Sequence, residues 1–147
     1  MESIATINQE LGPYNTFGVK ARSAYFVEIQ TEEALFDLLS RDDLPEPQLV
    51  LGGGSNILFV KDFEGLVIRM AIQGIQHTLN GNEVLLTAGA GVVWNDLVWY
   101  AVEQGFAGIE NLALIPGTAG AAPVQNIGAY GVELMDVFHH CRAYDRL

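Results

Sequence analysis

Leu51 to Val60 reads LGGGSNILFV: three consecutive glycines, Ser55 and Asn56, then a bulky apolar run. Glycine admits positive φ and close approach to the main chain. The successive N–H groups of Gly53 to Asn56 therefore suit an anion-binding nest, with Ser55 and Asn56 adding side-chain donors. A tight turn without a ligand accounts for the triplet equally well. The two standard nucleotide motifs are disfavoured. A Rossmann fingerprint needs GxGxxG opening a helix, but Ile57 stands at the third position after Gly52 and Gly54, and ILFV is too short and too uniformly apolar for that helix. A Walker A motif would end in GK[ST], which is missing here.

Ile115 to Gly131, IPGTAGAAPVQNIGAYG, is the second candidate. It carries no charge, its side chains are mostly small, and it follows neither a helical nor a strand period, which marks a long connection as functional. Gly128 and Ala129 permit backbone contact with a flat ring, and Gln125 and Asn126 offer amide hydrogen bonds. An anion nest together with a ring-hugging segment describes a dinucleotide cofactor such as FAD.

Other reactive types have plainer readings. His139, His140 and Cys141 fall on an expected strand with His140 on the opposite face, so no metal site is expected, and nothing marks Cys141 as an activated nucleophile. Trp94 lies on an apolar helix stripe and reads as core rather than as part of a stacking platform with Trp99 and Tyr100. Tyr130 is open between ligand contact and packing. Glu28, Glu32, Glu33, Asp42 and Asp43 read as a solvated acidic surface, and Asn15 and Thr16 as a turn that orders the N-terminus.

The elements that must carry these residues follow from periodicity. Tyr25–Ile29 predicts a strand, and Thr31 caps a helix expected over Glu32–Ser40. Pro45 and Pro47 end that unit before the strand QLVL, giving a β-α-β opening. ILFV and LVIRM predict two further strands joined tightly through KDFEG. IQHTL and EVLLTA form a hairpin about NGN, VWNDLVWYAVEQ is a helix stopped by Gly105, and DVFHHCRAY alternates like a strand. A boundary between two lobes, 1–71 and 72–147, is expected near Met70 to Gly74.

The chain has 147 residues, a formal net charge of −11 and seven Lys and Arg. That size suffices to bury a core without disulfides or metals. No basic face exists to neutralise nucleic-acid phosphates, so any phosphate must be held mainly by backbone N–H groups. A single cysteine, no secretory leader in MESIATINQEL and no apolar span long enough for a membrane lead to the expectation of a cytoplasmic protein.

YNTFGV (Tyr14 to Val19), LGGGSNILF, GAG followed by a tryptophan helix (Gly89 to Trp94), and GIENLALIPGTAGAAPVQNIGAYGVEL (Gly108 to Leu134) occur in that order. Together they resemble the UDP-N-acetylenolpyruvoylglucosamine reductase family, flavoproteins of bacterial peptidoglycan synthesis. The resemblance runs from about Leu11 to the end, and IPGTAGAAPVQNIGAYG is its most specific part. It implies an α+β fold of the PCMH-type, vanillyl-alcohol-oxidase-like FAD-binding class, two small lobes with the flavin between them.

Such enzymes pass hydride from NADPH through FAD to the enolpyruvyl group of a UDP-sugar. By the resemblance, Gly52, Gly53, Gly54, Ser55, Asn56, Ile57 and Leu58 meet the pyrophosphate. Pro116, Gly117, Ala121, Ala122, Gln125, Asn126, Gly128, Ala129 and Tyr130 belong to the flavin-lining wall. The family's catalytic arginine, its serine or cysteine, and its glutamate lie further along the family's chain than Leu147, so no catalytic residue is assigned. The resemblance implies a fragment whose second lobe is incomplete, whose substrate domain is absent, and whose uncovered surface favours self-association. The alternative is a non-catalytic flavin- or nucleotide-binding module.

Overall fold

The computed structural model describes residues 5–145. The expected leaderless start at Met1–Ile4 and the end of the second lobe at Arg146 and Leu147 lie outside the described residues. Backbone contacts divide the chain into two units, one running to Ala71 and including Tyr144 and Asp145, the other spanning Ile72–Ala143.

The first unit contains β1 (Thr6–Glu10), β2 (Arg22–Ile29), α1 (Glu32–Leu39), β3 (Gln48–Leu51) and β4 (Phe63–Met70). Thr31 Oγ1 accepts the Ala34 N–H at 3.1 Å, and Glu32 and Glu33 occupy the first turn of α1, where negative charge complements the dipole. The sheet order is β1-β2-β4-β3, with β1 antiparallel to β2, and β4 parallel to both of its neighbours. The β-α-β opening is present, but β4 inserts between its two strands. Leu66, Val67 and Ile68 of β4 are accordingly buried on both faces.

Two strand expectations fail. ILFV is irregular, because β3 and β4 run parallel and residues 52–62 are the crossover between them, not a tight hairpin connection. Phe59 is buried among Leu11, Ala21, Phe26, Leu51 and Val67, and Ile57 packs against that cluster, while Leu58 and Val60 face out. Apolar content here serves core plugging, and the ladder takes its next strand only at Phe63, inside the expected turn. DVFHHCRAY is likewise no strand: Leu134–Asp136 is a 3₁₀ turn, and residues 138–145 are irregular and exposed, with no ladder partner among the described residues.

The second unit has β5 (Ile75–Asn80), β6 (Glu83–Ala88), α2 (Trp94–Glu103), β7 (Gly128–Ala129) and β8 (Val132–Glu133). β5 and β6 pair in register from Ile75↔Ala88 to Asn80↔Glu83 about Gly81 (φ 61°). α2 ends in a Schellman motif. Gly105 has φ 73°, its N–H bonds the Val102 carbonyl at 3.0 Å, and the Phe106 N–H bonds the Ala101 carbonyl at 2.8 Å. Val92, Trp94, Leu97, Val98, Leu112, Ala122, Ile127 and Leu134 form the core. Among the described residues no helix is long and apolar enough to cross a membrane.

Candidate functional site

In the first unit the glycine loop leaves the carboxyl end of β3, on the edge where parallel sheets present their ligand sites. φ turns positive at Gly54 (65°), which is buried, whereas Gly53 is exposed. The Gly54 carbonyl accepts the Thr16 N–H at 3.0 Å. Among the described residues the N–H groups of Gly53, Gly54 and Ser55 have no backbone partner, which leaves them for an anion. Ser55 and Ile57 are half-buried; Asn56 and Leu58 are exposed.

The loop rests on the turn Leu11–Val19. Asn15 is buried, and its Nδ2 donates to the carbonyls of Leu11 (2.8 Å) and Val19 (3.1 Å) while its Oδ1 accepts the Val19 N–H at 3.0 Å. The expected turn-ordering role is thus carried out by the Asn15 side chain, and Thr16 links that turn to Gly54. The Tyr14 ring packs on Phe26, centroids 4.7 Å apart, and the Arg69 guanidinium lies 4.9 Å from its centroid. Arg69 is ion-paired with Glu28, which is therefore more than a solvated surface acid. The Gln30 amide and the Arg69 guanidinium hold the Glu28 carboxyl below its ordinary range, against partial burial. The charge of Arg69 is thus answered by Glu28. A polar cavity of about 440 Å³ in this unit, lined by Arg41, Asp42, Gln48 and Tyr144 among others, lies at the amino end of β3, away from the glycine loop.

In the second unit the segment Ile115 to Gly131 is ordered rather than structureless. Thr118 forms an antiparallel bridge with Val93, the Trp94 N–H bonds the Gly117 carbonyl, the Ala119 N–H bonds Val92 and the Gly120 N–H bonds Ala90. A Cβ on Gly120 would fall 2.6 Å from the Ala90 Cβ. The GAG and IPGTAG motifs thus form one main-chain contact. Trp94 is buried with its indole N–H on the Leu112 carbonyl at 2.8 Å, a core role, while Trp99 stays half exposed.

Pro116, Gln125 and Gly128 are exposed, and Gly117, Ala121 and Ala129 half-buried. Two expectations change. Ala122 belongs to the core, so its methyl is unavailable to a ligand. The Asn126 amide is already engaged, Nδ2 donating to Glu133 at 2.8 Å and Oδ1 accepting the Met135 N–H at 3.0 Å, because its left-handed backbone (φ 43°) needs that bracket. Gly128 and Ala129 form β7, paired with β8, and Tyr130 (φ 53°) and Gly131 (φ 79°) make a two-residue turn of the I′ kind. Tyr130, at its tip, is 90% exposed. His139 and His140 turn their rings toward each other instead of to opposite faces.

Thr118 is a residue that pattern reading missed. It is 7% exposed, and among the described residues its Oγ1 has no hydrogen-bond partner. Threonine between glycine and alanine carries no periodic signal; only the bridge to Val93 buries it. Taken each by itself, an orphaned buried hydroxyl in an uncharged wall is suited to a polar ring edge, and a loop of N–H groups without backbone partners is suited to an anion.

Residues 23–146 match the family model described as FAD binding domain. The chain belongs to that family. Among curated relatives it is 51% identical over 140 residues to UDP-N-acetylenolpyruvoylglucosamine reductase of Amoebophilus asiaticus, covering 94% of this chain and 41% of the relative. It is 53% identical over 144 residues to the enzyme of the same name from Ralstonia nicotianae, covering 92% and 41%. The crystal structure of UDP-N-acetylenolpyruvylglucosamine reductase from Thermus caldophilus superposes with a TM-score of 0.68 at 29% identity, covering 90% of this chain and 46% of that one. The fold is the α+β, PCMH-type FAD-binding class. The chain spans about two-fifths of the length of these curated relatives.

Proposed function

We propose that this chain binds FAD and forms the FAD-binding portion of an NADPH-dependent reductase that converts UDP-N-acetylenolpyruvoylglucosamine to UDP-N-acetylmuramate in the cytoplasm. The observation that carries this reading is identity of 51% and 53%, over more than nine-tenths of the chain, to reductases named for that substrate. FAD, when bound, supplies a two-electron carrier between the nicotinamide and the enolpyruvyl double bond.

The chain's own residues supply binding and orientation. Gly52 to Leu58 receive the pyrophosphate through main-chain N–H groups, which suits a chain of net charge −11 with little cationic surface. Pro116, Gly117, Ala121, Gln125, Gly128, Ala129 and Tyr130 offer main chain and uncharged side chains to the ring, Ala122 and Asn126 offer main chain alone, and the Thr118 hydroxyl is a further donor or acceptor.

Titration of the purified 147-residue chain with FAD tests the first half of the proposal. A stoichiometric complex with a shifted flavin visible spectrum is expected; a folded chain that takes up no FAD overturns it. Exchanging the corresponding segment of the Ralstonia relative for this chain tests the second half. The chimera should oxidise NADPH when given the enolpyruvyl sugar, and a chimera that holds FAD but ignores that sugar overturns the reductase assignment.

A further inference from the structure

We infer that Arg69 is a positioning residue for the cofactor site: it holds the glycine loop in its anion-receiving shape through the ring of Tyr14, without being a ligand itself. This deepens the FAD reading above and rests on it.

The connection is short and each step is a named contact. Arg69 on β4 stands opposite Leu51 in the parallel register, the last residue before the loop. Its guanidinium lies over the Tyr14 ring at 4.9 Å and is held from β2 by Glu28. Phe26 packs the same ring. The Tyr14 carbonyl and the Asn15 Cα are in turn the atoms against Gly54, and the Thr16 N–H bonds the Gly54 carbonyl. Tyr14 cannot shift without moving main chain that touches main chain of the loop. Glu28 consumes the cationic charge that direct coordination of phosphate would use, so the contribution of Arg69 passes through the ring.

The test compares Arg69→Met, which keeps length and removes the cation, with Arg69→Lys, which keeps a cation over the ring, and with Tyr14→Leu. In the FAD-free chain, hydrogen exchange of the Thr16 amide should speed up about three- to tenfold in Arg69→Met, the scale of one cation–π contact, and return most of the way in Arg69→Lys. The Kd for FAD should rise by a similar factor in Arg69→Met and in Tyr14→Leu, and the double variant should be no worse than the weaker single one. Unchanged Thr16 exchange in Arg69→Met, or fully additive losses in the double variant, would overturn the inference. If the unsubstituted chain takes no FAD, the cofactor reading fails, while Thr16 exchange still decides the role of Arg69.

Discussion

The carbonyl oxygen of Tyr14 lies 2.0 Å from the point that a Cβ on Gly54 would occupy, and the Asn15 Cα lies 2.9 Å from it. Both are main-chain atoms held by the Asn15 hydrogen bonds, and Gly54 itself sits at φ +65°. Gly54→Ala therefore combines a left-handed backbone penalty with a steric overlap that no rotamer relieves. A loss of about 3 kcal/mol in unfolding free energy is expected, with weakened FAD binding. Gly81→Ala separates the two terms. Gly81 has φ +61° with nothing within 4 Å, so its substitution should cost only about 1 to 2 kcal/mol, the conformational part. Chemical denaturation of both variants checks this, and equal losses would mean that the Tyr14 contact contributes nothing.

That contact also shows where the sequence was readable and where it was not. Local signals survived folding: Thr31 caps α1, Gly105 stops α2, and NGN turns the β5–β6 hairpin. Partner choice did not show. Val67 and Phe59 are equally apolar, yet one is the centre of a parallel ladder and the other a plug in a crossover, because a strand exists only where a neighbour accepts its hydrogen bonds. The GAYG turn was missed since its φ > 0 positions hold Tyr130 and Gly131 instead of the usual Asn-Gly. The glycine loop was legible as a tight turn from composition, and Gly54 does take a positive φ there. The support beneath it, Tyr14 with Arg69 and Glu28, joins residues far apart in the chain and has no local signature.

Glu28 supplies a pH dependence of definite sign. Its carboxyl titrates below the ordinary glutamate range, held there by Gln30 and then by Arg69 against desolvation. A group whose pKa is depressed on folding contributes stability that is present above its unfolded pKa and is lost as pH falls through the folded one. Stability should thus decline as pH drops below about 4.5, the ordinary value for such a carboxyl. Glu28→Gln removes that titration, so its melting temperature should fall less steeply than that of the unsubstituted chain over the same range. Asp43 and Glu110 are also depressed, and the difference between the two pH profiles cancels their shared contribution. Parallel profiles would show that the Glu28 pair is not formed in solution.

Thr118 and Ser23 are both buried with hydroxyl oxygens that lack partners among the described residues. A buried unsatisfied hydroxyl is a cost to the ligand-free chain, and replacing it with an apolar group of like shape is neutral or stabilising. Thr118→Val and Ser23→Ala are each expected to leave the free chain as stable as before, or more stable by up to about 1 kcal/mol. Their effects on the cofactor should part. Ser23 lies near the amino end of β2, whereas the glycine loop follows the carboxyl end of the parallel β3; no expected ligand residue is at that end, and its substitution should leave FAD affinity unchanged. Thr118 stands inside the uncharged wall bridged to Val93. Its hydroxyl, if it meets the ring edge, loses a hydrogen bond in the valine variant, raising the Kd for FAD about three- to tenfold, the worth of one neutral hydrogen bond. Isothermal titration of the two variants, beside their unfolding curves, reads both quantities. Stability gained with affinity lost at Thr118, and stability gained with affinity kept at Ser23, marks the first hydroxyl as held for a ligand; a Thr118→Val chain that binds FAD undiminished makes it a packing defect like the second.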